Sequence, residues 1–110
     1  MALTQREKEY RAFLHSKVWK EFRAGIIKKR GKRCEACGLS VSLRVLHLHH
    51  KTYVRFGGKE KPSDVVLLCK SCHRLVHKID KQNKGRDLAL ATDRVIEYMQ
   101  KLILLKALDN

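Results

Sequence analysis

Two adjacent histidines, His49 and His50, and two more spaced one helical turn apart, His73 and His77, are the residues of this chain best suited to chemistry. Side chains at i and i+4 share one face of a helix. Imidazoles at that spacing are a recurrent way to hold a divalent cation. His49 and His50 close an apolar stretch, residues 43–49, that reads as a strand. A strand end packed across the helix adds one more ligand and leaves one imidazole free. Any single histidine of the four reads more simply as a satisfied structural residue, but four in this arrangement point to a metal site.

The four cysteines form two pairs, Cys34-x-x-Cys37 and Cys69-x-x-Cys72. Nothing at the N-terminus reads as a secretion signal, so a disulfide framework is not expected. Each pair places two thiolates on one tight turn, and two such turns complete a tetrahedral zinc site. Redox dithiols or plain buried cysteines are the bland alternative. Gly38 follows the first pair, where a knuckle needs a residue tolerant of positive φ. The 31 residues between the pairs must fold into something compact. A structural zinc supplies about 10–16 kcal/mol of apparent binding energy, which helps a chain too short for a large core.

Charge points to the partner. Lys and Arg number 25 against 11 acidic residues, a formal net charge of +14 over 110 residues. A chain that basic usually meets a polyanion, although a solubilising excess is the simpler reading. The excess lies in residues 1–82, and residues 83–110 are close to neutral. The run Lys28-Lys29-Arg30-Gly31-Lys32-Arg33 either contacts phosphates or is solvated, and Arg55 presents the same choice. No apolar run approaches the roughly 20 residues of a spanning helix, so no membrane is expected and a cytoplasmic location is.

Four blocks position these groups in one domain, residues 1–110. Residues 1–33 form a basic helical lead-in. Thr4-Gln5-Arg6-Glu7 is a capping box opening a first helix with Tyr10, Phe13 and Leu14 on its apolar side. Ser16 caps a second helix whose Trp19, Phe22 and Ile26 face a core, and Gly31 ends it. Residues 34–82 hold the knuckles and histidines: the strand over residues 43–49, a loop over 51–62, a second strand over 64–68 and a helix over 72–81. Residues 83–110 are a linker and a final helix capped by Asp87, with Leu88, Ala91, Val95, Met99 and Leu102 at helical spacing. Residues 102–105 are all apolar. Packing into the protein is the favoured reading, and association with a partner protein or a second copy is the alternative.

In order, residues 49–58 (HHKTYVRFGG) and 64–77 (DVVLLCKSCHRLVH) resemble the signature of the HNH endonucleases. Residues 19–38 are similar to the lead-in of small zinc-containing members. The resemblance implies an α+β fold with a ββα-metal (His-Me finger) core, flanked by N-terminal helices and a C-terminal helix. It implies that His50 is the general base, a side-chain type whose ordinary pKa of about 6.5 suits proton abstraction near neutral pH. His49, His73 and His77 take the metal-ligand positions, as in histidine-rich members such as the colicin nucleases. Asp64 stands where the family name expects Asn and ties the loop so that His50 points correctly.

The implied reaction is hydrolysis of a DNA phosphodiester, leaving 5′-phosphate and 3′-hydroxyl ends. It uses one divalent cation, Mg2+ or Mn2+ first, with Ni2+ or Zn2+ compatible with the imidazoles. Cys34, Cys37, Cys69 and Cys72 hold a separate structural Zn2+. Arg55, Lys28, Lys29, Arg30, Lys32 and Arg33 are the candidate phosphate contacts on double-stranded DNA. The glycine-containing loop is longer than the family pattern, and Glu60 receives no role. A zinc-stabilised nucleic-acid-binding module without catalysis, or a subunit of a larger phage or restriction machine, is the rival expectation.

Overall fold

A computed structural model describes residues 2–108. Helix α1 (Gln5–Leu14) opens with the expected capping box: the Thr4 hydroxyl accepts from the Glu7 backbone N–H, and the Glu7 carboxylate accepts from the Thr4 N–H. Helix α2 (Lys17–Arg30) is capped by Ser16, and Gly31 ends it at φ 88°, in the region that favours glycine. Trp19 and Ile26 are its buried residues.

Strand β1 (Leu46–His50) pairs antiparallel with β2 (Val65–Cys69), with Leu46 opposite Cys69 and His50 opposite Val65. Helix α3 (Lys70–Gln82) follows β2 directly, and α4 (Leu88–Leu108) packs on α3. The order strand–loop–strand–helix is the expected ββα unit, with the other three helices around it.

The sheet is buried on both faces. Val66, Leu68, Cys69 and Cys72 join Val76 of α3 and Ala91 and Val95 of α4 on one side. Leu46, Val65 and Leu67 meet Trp19 and Ile26 of α2 on the other. All five residues of β2 are buried, which explains why its sequence is an unbroken apolar run without alternation. Leu67, Leu68 and Val76 have no exposed surface. A fully buried aliphatic side chain of this size contributes about 1.5–3 kcal/mol.

Some boundaries differ from those expected. The first strand starts at Leu46 instead of residue 43, because Ser42 and Val45 close a turn (Val45 N–H to the Ser42 carbonyl, 3.1 Å). The Arg23 guanidinium holds that turn by donating to the carbonyls of Leu43 and Leu46. His50 is inside the strand. Asp64 leaves the second strand for a short 3-10 turn, Pro62–Asp64. Helix α3 begins at Lys70, with Cys69 in extended conformation at its cap.

The final helix corrects a further expectation. Asp87 does cap it, accepting from the Leu90 N–H at 2.9 Å. Ala91 and Val95 are buried, and Leu88 and Met99 are partly so. Leu102, Ile103, Leu104 and Leu105, for which packing is favoured over association, are instead exposed, Leu104 to 60%, and so is Leu108, to 73%. The rest of the fold ends before the helix does. No helix among the described residues is long and apolar enough to cross a membrane.

Candidate metal centres and the buried histidine

The four cysteines meet where the first knuckle abuts the start of α3. Their sulfurs lie within 4.8 Å of one another, with Cys37 and Cys69 Sγ atoms 3.8 Å apart. The knuckle is built locally. Gly38 sits at φ 78° and donates its N–H to the Cys34 carbonyl at 2.9 Å, and the Cys37 N–H points at the Cys34 sulfur. Glu35 anchors the turn to β2 by donating its N–H to the Leu67 carbonyl and accepting the Leu67 N–H on its carboxylate.

Charge explains what such a cluster wants. Burial works against the Cys34 thiolate, but backbone hydrogen bonds from Cys37, Cys69 and Ala36 outweigh it and bring its pKa down. Burial and the neighbouring sulfurs push Cys72 up. Crowded thiolates are mutually unfavourable unless a cation neutralises them. Four clustered sulfurs are positioned for one metal ion, and the donor set suits zinc.

A second cluster lies across α3. His49, His73 and His77 each offer a ring nitrogen, all within 4.8 Å of one another. The β1 alternation turns His47 and His49 toward α3, where His73 and His77 stack on one face. His49 is buried, His73 half-buried and His77 exposed, so the cluster is open on the His77 side. Burial, then the rings of His73 and His77, push the His49 pKa down to about 3. Burial, with His77 and His47, brings His73 down to about 4. Both are therefore neutral at pH 7, with lone pairs free for a metal. Three imidazoles form a donor set that suits Ni2+, Cu2+ or Zn2+ better than Mg2+, which prefers oxygen.

His50 points to the opposite face of β1. It is 1% exposed, stacked on Trp19 (ring centroids 4.7 Å apart, planes 15° apart) and on Tyr53 (5.1 Å, 23°). Tyr10 of α1 and Phe56 of the loop close over it. Its Nε2 lies 2.9 Å from Glu60 Oε2. Among the described residues its buried Nδ1 has no hydrogen-bond partner.

Glu60 is held in turn by the N–H groups of Gly57 and Gly58, at 3.3 and 2.8 Å. Those glycines sit at φ 102° and 119°, a conformation other residues rarely adopt. Burial raises the Glu60 pKa, but the bonds from His50, Gly58 and Gly57 outweigh it and hold the carboxyl below its ordinary value. An ionised Glu60 only accepts, so the bond takes His50 Nε2–H, and Nδ1 is the nitrogen left without a partner among the described residues.

Among the described residues Asp64 makes no hydrogen bond to His50. Its carboxylate takes both arms of the Arg55 guanidinium and the Lys61 N–H, and its carbonyl accepts from the Lys51 N–H at 2.7 Å. The Arg55 hydrogen bonds, ahead of the Lys61 N–H, hold the carboxyl down at about 2. Asp64 thus clamps the two ends of the 51–64 loop, while Glu60 from inside that loop grips His50.

Residues 34–79 match the HNH endonuclease family. No curated protein and no solved structure matches the chain. The HNH match begins at the first knuckle and runs through both cysteine pairs, both strands and the helical histidines. It leaves out α1, α2 and α4, three helices that pack against the HNH core.

Within and beside that HNH segment, the candidate phosphate contacts divide. Arg30 donates to the Glu35 carboxylate and to the carbonyls of Val65 and Pro62, so its fork is spent on the protein. Arg55 is spent on Asp64. Lys28, Lys29, Lys32 and Arg33 are exposed, and their side chains make no ion pair among the described residues.

Three site residues escaped the sequence reading. Glu60 was visible as the one acid in a basic loop, two residues after Gly58. His47 lies two residues from His49, on the same strand face, with its Nδ1 2.7 Å from His73 Nδ1. Thr92 arrives from α4, with its hydroxyl 2.9 Å from His49 Nε2, and no local pattern marks it.

Proposed function

We propose that this chain is a metal-dependent endonuclease that hydrolyses phosphodiester bonds of DNA. The observation that carries the reading is the pairing of two arrangements on one strand: a three-imidazole cluster at His49, His73 and His77, and next to it His50, held by Glu60 with Nδ1 as its basic nitrogen. A divalent cation held by the three imidazoles supplies Lewis-acid stabilisation of the phosphate charge and of the leaving oxygen. His50 Nδ1 takes the proton of the attacking water. Glu60 stabilises the imidazolium that results, and Asp64 with Arg55 keeps the loop that carries Glu60 in place. The exposed bases Lys28, Lys29, Lys32 and Arg33 neutralise backbone phosphates.

His50 is sealed in the described state. Substrate engagement therefore shifts Tyr10 and Phe56, the rings between His50 and solvent. Helix α1 has no fully buried residue of its own, and Phe13 and Leu14 hold it by packing against the core around Trp19.

The test is plasmid nicking with Mg2+, Mn2+, Zn2+ or Ni2+ against an EDTA control. Metal-dependent nicks with 5′-phosphate ends are expected, and no cleavage under any metal overturns the reading. Binding should weaken steeply with salt, because phosphate contacts release counterions.

A second reading, a zinc-stabilised nucleic-acid-binding module without catalysis, is favoured by one observation: the burial of His50. It predicts salt-sensitive DNA binding that needs no metal beyond the cysteine zinc, with no nicks under any added cation. The exposed leucines of α4 support a further role in self-association or as one subunit of a larger machine. Light scattering before and after deletion of residues 98–108 tests that role.

A further inference from the structure

His49 and His73 each use one ring nitrogen on a partner that is not part of the three-imidazole cluster. The Thr92 hydroxyl donates to the Leu88 carbonyl at 2.8 Å. Its single proton is therefore committed, and toward His49 Nε2, 2.9 Å away, it can act only as an acceptor. His49 must then carry its proton on Nε2, which leaves Nδ1 as its free lone pair. Thr92 is fully buried, so water does not compete for this bond.

His73 shows the opposite arrangement. Its Nδ1 faces His47 Nδ1 at 2.7 Å, and its Nε2 faces His77 Nε2 at 3.0 Å. The nitrogen turned toward the cluster is Nε2. For Nε2 to offer a lone pair, the proton of a neutral ring must sit on Nδ1 and be donated to His47. His47 then accepts on Nδ1 and keeps its own proton on Nε2.

We infer that Thr92 and His47 are positioning residues that fix opposite tautomers behind the cluster, so that a divalent cation is taken by Nδ1 of His49 and Nε2 of His73. This rests on the reading of His49, His73 and His77 as a cation site. Helix α4, outside the matched family segment, is thereby part of the metal centre. Groups that orient a ligating histidine this way are typically worth about 10–100-fold in metal affinity.

The experiment uses the full chain with one equivalent of zinc on its cysteines, titrated calorimetrically with a second equivalent of Zn2+. Long-range 1H–15N spectra read the histidine tautomers in parallel. Thr92→Val and His47→Leu are each expected to weaken the second site about 10–100-fold. Thr92→Ser and His47→Gln, which keep an acceptor, should recover most of that loss. Spectra should show His49 protonated on Nε2 throughout and His73 protonated on Nδ1 once the second zinc is bound.

Wild-type affinity in both apolar variants, or His49 protonated on Nδ1, overturns the inference while leaving the cation site standing. A wild-type chain that takes no second equivalent, or takes one that His77→Ala leaves untouched, overturns the inference and the cation-site reading together. Melting curves of the variants before the second zinc is added separate lost affinity from lost fold.

Discussion

The cysteine cluster and the histidine cluster are built on neighbouring residues, Cys72 and His73 of the same helical turn, yet they differ in every property that matters to a metal. Three of the four cysteines are buried, and with a metal bound the donors would be thiolates. A dication there is over-neutralised and closed off. An imidazole ligand carries no negative charge, and one of the three is exposed, so a dication there would keep its full charge and face outward. The first arrangement can hold a fold together and attract nothing. The second can attract a phosphodiester. Ligand charge and one open side separate a structural site from a candidate reactive one, even when the same helix supplies both.

The sharpest way to break this contrast is to damage each cluster and compare what is lost. Cys69→Ser should abolish cooperative folding. It removes a zinc ligand at the joint of β2 and α3, and a structural zinc contributes about 10–16 kcal/mol of apparent binding energy. Zinc content and a melting curve check it, and a normal melt with full zinc would erase the distinction. His77→Ala should leave that melt nearly unchanged and remove the second metal equivalent.

His50 comes next in size. His50→Ala should lower the nicking rate by at least about 10²-fold. It should also lower the melting temperature, because it opens a cavity between Trp19 and Tyr53 and leaves Glu60 unpaired. His50→Gln is expected to recover more of the stability than of the rate. Glu60→Gln should cost less, about 10-fold in rate, and should alter the pH–rate profile. An unchanged profile would reduce Glu60 to a loop anchor.

Acidity probes the histidines facing α3, His47 included, because burial lowers its pKa as well. His49 and His73, with pKa values lowered to about 3 and about 4, stay neutral in the folded chain while their unfolded counterparts take up protons below about 6.5. The unfolded state binds more protons in that interval, so stability is full above it and falls as pH drops from about 6.5 toward 4. Denaturant melts between pH 7.5 and 6, with the cysteine zinc retained, should show the start of this slope, and His73→Asn should flatten it. The smallest effect is expected from Leu104→Glu: a melting change equivalent to no more than about 0.5 kcal/mol, alongside loss of any dimer seen by light scattering.

Much of the site was legible because it obeys local periodicities. The i, i+4 spacing of His73 and His77, the two C-x-x-C turns and the caps at Thr4, Ser16 and Asp87 are short-range patterns with one geometric meaning each. What escaped was set by packing between distant segments. Thr92 meets His49 across 43 residues of chain. Arg30 looked like a phosphate contact within its basic run, but tertiary structure spends its guanidinium on three separate acceptors. The apolar end of α4 follows the pattern of a buried helix, and only the extent of the surrounding fold shows that nothing covers it among the described residues.

The alternation along β1 makes the site a matter of parity. His47 and His49 share one face because they are an even number of residues apart, and His50 faces the other way because it is odd. A single residue inserted between Leu46 and His47 would exchange the two sets, presenting a lone imidazole to α3 and two to the aromatic pocket. A change of two residues would preserve the order of faces and cost only the strand ends. The bonds from Lys51 to Asp64 and from Glu35 to Leu67 hold the frame on either side. Length variation in this protein should therefore be tolerated in the 51–62 loop before it is tolerated by one residue in the strand, and a library of one- and two-residue insertions would read out that rule directly.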